Sequence, residues 1–167
     1  MSDIQISSGY RTGLIGRITE MHMAFYAQTS GFGQRFESVV AGGLAAFCDR
    51  LHHPQNEIWL AIQEQQIVGS VAIDGEDLGN NTAHLRWFIM DEKVRGTGVG
   101  RQLLTNAIQF VDSHNFKETQ LWTFNGLTAA RHLYESQGFK LSAERMGDQW
   151  GTEVLEQRFS RIHQITS

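Results

Sequence analysis

Arg95-Gly96-Thr97-Gly98-Val99-Gly100-Arg101 is the stretch whose reading decides the fold, because of what stands on either side of it. The apolar run His84 to Met90 precedes it and has the texture of a strand. After it, Leu103, Leu104, Ala107, Ile108 and Val111 keep the period of an amphipathic helix as far as His114. Thr119 to Phe124 then returns to a strand-like run. Strand, turn, helix and strand make a β-α-β unit, and such a crossover requires parallel strands, here expected over roughly 84–90 and 119–124. In a turn of this kind, successive backbone N–H groups and the unpaired N–H groups of the helix start converge on an anion. Glycine lets that anion approach the main chain. The expected ligand therefore carries phosphate; read as architecture alone, the turn would only join strand to helix.

Upstream, Leu14, Ile18, Met21 and Phe25 fall three or four apart and predict a helix over Gly13 to Ala27, after a short alternating start at Asp3 to Ser7. Beyond the glycine-rich break Ser30-Gly31-Phe32-Gly33, a second helix is expected from about Arg35 to Leu51, carrying Phe36, Val39, Val40, Leu44 and Phe47. Ile58 to Ile62, Ile67 to Ile73 and His84 to Met90 read as an antiparallel meander, with a hairpin around Glu64-Gln65-Gln66. Downstream, a helix from Leu127 to Gln137 stops at Gly138, and strands near Phe139 to Arg145 and Glu153 to Phe159 follow. No repeat or linker interrupts the 167 residues, which suit a single domain over 1–167.

Composition bounds the function classes. A net charge of −4 disfavours a nucleic-acid partner, which needs a basic face, and a cationic or neutral substrate is easier to accommodate. Cys48 is the only cysteine, so an intrachain disulfide is excluded. Cys48, His52 and His53 lack the second pair that a zinc site generally needs, and no metal is expected. The N-terminus has no export signal, and no apolar run approaches the length of a membrane span, so a cytoplasmic protein is expected. Monomer and homodimer both stay open.

The glycine turn fits neither the dinucleotide fingerprint G-x-G-x-x-G nor the P-loop G-K-[ST]. Its pattern R-x-x-G-x-G, behind a strand ending in Phe88-Ile89-Met90, resembles the pyrophosphate-binding motif of the GNAT acyltransferases. A second stretch is similar to the same superfamily: Asn125 after a strand, Ala130 and Tyr134 in the following helix, then Gly138-Phe139. Trp59-Leu60-Ala61, Val68-Gly69-Ser70, Leu121-Trp122-Thr123 and Trp150-Gly151 extend the likeness over about 57–160. The early segment with His22, Tyr26 and Phe36-Glu37 resembles GNAT domains fused behind a MarR-type DNA-binding module, which is absent from this sequence.

The resemblance implies an α/β fold: a mixed, mostly antiparallel twisted sheet with a central β-α-β unit that binds acyl-CoA. It also implies direct transfer of an acetyl group from acetyl-CoA to the amine of a small molecule or peptide. Phe88, Ile89 and Met90 would meet the acyl-pantetheine arm through their main chain. Arg95, Gly96, Thr97, Gly98, Val99, Gly100 and Arg101 would hold the pyrophosphate, and Asn125 with Ala130 the pantetheine region. Tyr134 matches the family's usual acid, a phenol that protonates the leaving sulfur; by itself it could equally be a packing aromatic. His84 stands near where several relatives place a glutamate and is the leading candidate for the base, with an ordinary strand histidine as the plain alternative. Glu37, Glu144 and an ordered water are other options. The acceptor would enter between the two N-terminal helices and the loop Gly147 to Gly151. A non-catalytic acyl-CoA sensor or interaction module is the rival reading.

Overall fold

The computed structural model describes residues 3–163. Its elements run β1 (Gln5–Ser8), α1 (Leu14–Ser30), α2 (Gln34–Cys48), β2 (Glu57–Gln63), β3 (Gln66–Asp74) and β4 (Thr82–Met90), then a 3₁₀ turn (Glu92–Val94). They continue with α3 (Val99–Ser113), β5 (Glu118–Phe124), α4 (Thr128–Ser136), β6 (Lys140–Gly147) and β7 (Val154–Ile162). Seven strands form one sheet in the order β1-β2-β3-β4-β5-β7-β6, and only the β4–β5 pair is parallel. This is the mixed, mostly antiparallel α/β sheet that the sequence predicts. Among the described residues, no helix is long and apolar enough to cross a membrane.

Each face of the sheet has its own core. Leu103, Leu104, Ala107, Ile108 and Val111 of α3 are all buried, and they pack with Val68, Val71, Ile73, Ala83, Leu85 and Tyr134. On the other face, Leu14, Ile18 and Met21 of α1 and Phe36, Val40, Leu44 and Phe47 of α2 pack on Ile58, Leu60, Ala72 and Ile89. Strand β3, covered from both sides, is buried from Ile67 to Asp74, as a central strand between two helical layers must be.

Two local features shape the centre. The parallel β4–β5 ladder covers only Thr82↔Glu118, Ala83↔Thr119 and His84↔Gln120, far shorter than the apolar runs predict. In β4, Ser70 pairs with Ile89 and Ala72 with Arg86, so the single Val71 faces both Trp87 and Phe88, which is a β-bulge. Trp87 adopts φ 50, a conformation costly for a bulky side chain. It is held there by the Ser70 hydroxyl, which donates to the Trp87 carbonyl at 2.7 Å, and by ring contact with Phe47 at 5.4 Å. The bulge breaks the alternation. Arg86 and Trp87 both approach Gly43 of α2, whereas Phe88 packs in the opposite core near Tyr134. Bent in this way, β4 parts from β5 and the sheet opens.

Candidate active site

The site begins at the glycine turn. Gly96 and Gly98 have φ of 80 and 88, the left-handed region that suits glycine, and a Cβ at either would point into open space. The first helical bond of α3 is donated by the Gln102 amide to the Gly98 carbonyl, and no side chain caps the helix. The N–H groups of Val99, Gly100 and Arg101 therefore precede the helical ladder and face outward as donors. Thr97 turns its hydroxyl inward, to the Val94 carbonyl at 2.5 Å. Arg95 donates to the Met90 carbonyl at 3.1 Å and lies 4.3 Å over the Phe25 ring, tying the turn to α1. Amides without a helical partner, exposed Arg95 and Arg101, and open space at Gly96 and Gly98 are what a diphosphate requires, so these residues fit that part of coenzyme A.

Two cavities lie on either side of Tyr26 and Phe124. One, of about 350 Å³, runs along the C-terminal end of α1 and the β5–α4 connection; Phe25, Asn125, Gly126, Thr128 and Ala130 line it. The other, of about 140 Å³, fills the gap between the parted β4 and β5. Its walls come from His22 and Tyr26 of α1, Phe36, Val39 and Val40 of α2, His84 to Phe88 of β4, Leu121 to Phe124 of β5, Tyr134 of α4, and Gln149 and Trp150. Tyr26 and Phe124, with ring centroids 5.7 Å apart, line both cavities and divide them. Buried Glu156 positions the last wall: its carboxylate accepts from the Gln149 amide at 2.9 Å and from Arg145 at 3.1 Å. A Cβ on Gly147 would sit 2.6 Å from that carboxylate, so the β6–β7 turn needs glycine there.

Tyr134, Tyr26, His22, His84 and Arg86 bring polar groups to the smaller cavity. Tyr134 is 7% exposed; its carbonyl accepts from the Gln137 and Phe139 amides, and its ring meets Phe88, Phe139 and Phe159. Burial, with nearby Tyr26, pushes its phenol well above the ordinary range, so it stays protonated. The hydroxyl has no hydrogen-bond partner among the described residues, and since no polar side-chain atom there is both sealed off and unpaired, it opens on the cavity. Tyr26 is alike: burial pushes it up to about 12, against the pull of Arg95.

Two histidines face the same space. His84 Nδ1 lies 2.8 Å from Asp77 Oδ2 and donates to it, and Nε2 has no hydrogen-bond partner among the described residues. His22 Nδ1 donates to the Ile18 carbonyl at 2.8 Å, leaving Nε2 unpaired in the same way. Burial lowers its pKa to about 4 against the support of that carbonyl, so His22 is neutral at physiological pH. Arg86 has no hydrogen bond; it stacks on Trp87 at 4.1 Å and stands 3.7 Å from Asp77. Burial pulls its pKa down, against Asp77 and Asp74.

The structure thus brings Tyr134, His84 and Phe88 around one cavity, together with α1, α2 and the Gly147 to Gly151 loop. Asn125 and Ala130 lie in the neighbouring cavity. Ile89 turns its side chain into the α1/α2 core, and Met90 lies beneath Gly100, where a Cβ would come within 2.8 Å of Met90 Cε. Past His84 the main chain of Phe88, Ile89 and Met90 has no ladder to β5. Glu37 and Glu144 line neither cavity; Glu144 instead accepts from Gln157 at 2.9 Å. Sequence reasoning passed over Arg86, Asp77 and the inward Nε2 of His22. Strand alternation from His84 could have found Arg86, and the i, i+4 step from Ile18 could have found His22. Asp77 sits in a loop and gave no signal. Among the described residues, no group of three or more His, Cys, Asp or Glu side chains could hold a metal.

Comparison with known proteins agrees with this geometry. The family model described as Acetyltransferase (GNAT) family matches residues 18–139. The chain is 35% identical over 86 residues to N-acetylaspartate synthetase of Danio rerio, a match covering 52% of this chain and 30% of that protein. It is 30% identical over 99 residues to human N-acetyltransferase 8B, covering 58% and 44%. Matches to these curated relatives thus span well under half of their length. Among solved structures, yncA from Salmonella typhimurium, a putative acetyltransferase determined with acetyl-CoA, superposes with TM-score 0.78 at 15% identity, over 99% of this chain and 97% of that one. A GNAT-family acetyltransferase from Staphylococcus aureus Mu50 gives TM-score 0.75 at 19% identity, over 96% and 99%. Parted strands, a bulge that parts them, a glycine turn at a helix start and a family model spanning most of this frame agree: the chain belongs to the GNAT acetyltransferase family.

Proposed function

We propose that this chain transfers an acetyl group from acetyl-CoA to a primary amine of a small molecule or peptide, by direct attack of the amine on the thioester. The observation that carries this is the pair of opposed groups in the gap between β4 and β5. One is a protonated, unpartnered Tyr134 hydroxyl, and the other a His84 imidazole whose Nε2 keeps its lone pair. A group that gives a proton and a group that takes one are both needed when an amine, having lost its first proton to solvent, becomes an amide and a thioester becomes a thiol.

The roles follow from position. Amides of Val99, Gly100 and Arg101, with Arg95 and Arg101 nearby, hold the diphosphate. The pantetheine arm passes Asn125 and Ala130, and the thioester reaches the main chain of Phe88, Ile89 and Met90 on the edge that has no ladder to β5. His84 Nε2 accepts the amine proton while Asp77 fixes the ring. The nitrogen forms its bond to the thioester carbon, the carbon–sulfur bond breaks, and the sulfur takes the Tyr134 proton. A phenol raised by burial is a weaker acid than the thiol it protonates, so this transfer proceeds with carbon–sulfur cleavage, drawn by amide formation, and the proton taken by His84 returns to the phenolate through solvent.

The relatives' names, N-acetylaspartate synthetase and N-acetyltransferase 8B, support an amine acceptor. Thiol release from acetyl-CoA over a panel of amines tests the reading, alongside coenzyme A binding by Gly98→Asp, which puts bulk and negative charge at a φ of 88 where the diphosphate sits. Amine-dependent release and loss of coenzyme A affinity in the folded variant are expected. Tight coenzyme A binding without turnover on any amine would favour a sensor; unchanged affinity in Gly98→Asp would remove the turn from the site.

A further inference from the structure

Seventeen residues line the smaller cavity, and Arg86 is the only permanently charged one among them; no aspartate or glutamate reaches its wall. A guanidinium carries five N–H donors in a rigid fork and cannot be discharged by proton loss near neutrality. Those of Arg86 make no hydrogen bond among the described residues. The nearest carboxylate, Asp77, is already engaged by His84 at 2.8 Å and stands 3.7 Å from Arg86, beyond hydrogen-bond reach. Arg50, Arg161 and Arg17, by contrast, hydrogen-bond directly to carboxylates, Arg50 to Asp74 and Glu76, Arg161 to Asp112, and Arg17 to Asp91 and Glu20. Arg86 lines the cavity and stacks on Trp87 at 4.1 Å, its fork lying between Gly43 of α2 and Asp77 without a hydrogen bond among the described residues.

We infer that Arg86 is the seat of a carboxylate on the acceptor, and that the amine acetylated is the α-amine of an amino acid with an apolar side chain. The inference rests on the cavity being the acceptor site. Position supplies the rest. His84 and Arg86 are two apart on β4 and face the same side of the sheet, whereas Ala83 and Leu85 enter the α3 core. Such residues stand about 7 Å apart along a strand. An α-amino acid fits that span, its carboxylate on the Arg86 fork and its nitrogen toward His84. Its side chain then meets Phe36, Val40, Trp122, Phe124 and Trp150, none of which offers a charge. Polyamines and other cationic acceptors would meet the Arg86 guanidinium and no carboxylate on the cavity wall.

The test separates this inference from the activity on which it rests. Binding of N-acetyl-L-leucine and N-acetyl-L-leucinamide to the coenzyme A complex is measured by titration calorimetry. The free carboxylate is expected to bind about tenfold tighter than the carboxamide, the scale of a hydrogen-bonded charge. Arg86→Gln should erase the preference while coenzyme A affinity holds, and Arg86→Lys, keeping charge without the fork, should retain part of it. Equal binding of the two ligands by the native protein, binding of neither, or a preference that survives in Arg86→Gln overturns the inference. Transfer to leucine and leucinamide is read separately. Discrimination in binding without transfer keeps the carboxylate seat and defeats the activity, whereas equal transfer to both keeps the activity and defeats the seat.

Discussion

Asp74 and Arg86 lie on neighbouring strands, yet their surroundings are opposites. Asp74 is fully buried and accepts from Arg50 at 2.6 and 3.1 Å and from the Glu76 and Asp77 amides at 3.0 and 3.2 Å. Asn56 completes that network by donating to the Arg50 carbonyl and Glu76 and accepting from the Gly75 amide. Burial alone would raise the Asp74 carboxyl; the Arg50 and amide hydrogen bonds outweigh it and hold the group below the usual carboxylate range. The Tyr134 and Tyr26 hydroxyls and His22 Nε2, which line the cavity, and the Arg86 guanidinium, 3.7 Å from Asp77, make no hydrogen bond among the described residues. Where the polar groups answer one another, they close the fold, joining the end of α2 to the β3–β4 loop that carries Asp77. Where they do not, they face the space between parted strands, and a ligand is the partner they lack.

The largest expected effect breaks the closed side. Arg50→Met leaves the buried Asp74 carboxylate without its cation and should cost about 3 kcal/mol, the low end for a broken buried pair because Arg50 is itself 36% exposed. A fall in Tm of about 6–12 °C follows for a domain of this size. Arg86→Gln, on the open side, should change stability by less than about 1 kcal/mol, since no hydrogen bond is lost. If denaturant unfolding ranked the two variants the other way, the division between a structural and a ligand-facing region would be wrong.

Next in size are the proton-handling groups. Tyr134→Phe removes a hydroxyl that holds nothing in the fold, so coenzyme A binding and Tm should stay near native while kcat falls on the order of 10²-fold. Native kcat in a stable variant would return Tyr134 to packing. His84→Gln should remove the limb of kcat/KM that rises with pH, with coenzyme A affinity retained. If the limb persists, another group or the amine itself is its source. Asp77→Asn sharpens the point: if Asp77 only orients the ring, the limb should survive with lowered kcat, because Nε2 is still the proton acceptor.

How much of this could be read beforehand depends on whether the cause was local. The α3 stripe of Leu103, Leu104, Ala107, Ile108 and Val111 is set by helical period and is buried as read. The parallel partnership of β4 and β5 was legible from the crossover, but its length was not. The run Leu85 to Met90 looks like uninterrupted strand, and nothing in its composition announces that Trp87 takes a positive φ. The placement of Tyr134 and His84 around one cavity follows from chain order plus a family likeness. Asp77 at the His84 ring depends on a loop path that no periodicity encodes. Net charge was a poor guide to the site: the chain totals −4, while the only permanent charge lining the cavity is positive.

The smallest effect concerns His22, the neutral histidine of the open side, and it is read in stability rather than in rate. Its folded pKa of about 4 lies below the ordinary 6.5 because burial disfavours the imidazolium, so between those values the unfolded chain binds a proton that the folded chain does not. Stability must then fall as pH falls through that window, by about 2 kcal/mol between about pH 7 and pH 5 from this group alone. Asp74, Asp91 and Glu156 also weaken the fold in acid, but their carboxyls are held below the usual range, so their loss comes at lower pH. His22→Asn separates the two. Its side-chain amide can still donate to the Ile18 carbonyl, yet it cannot titrate, so the slope of unfolding free energy against pH should flatten above about pH 5 whatever constant offset the substitution adds. A slope as steep as the native one would mean that His22 is protonated in the folded state, and the cavity would then hold a second cation beside Arg86.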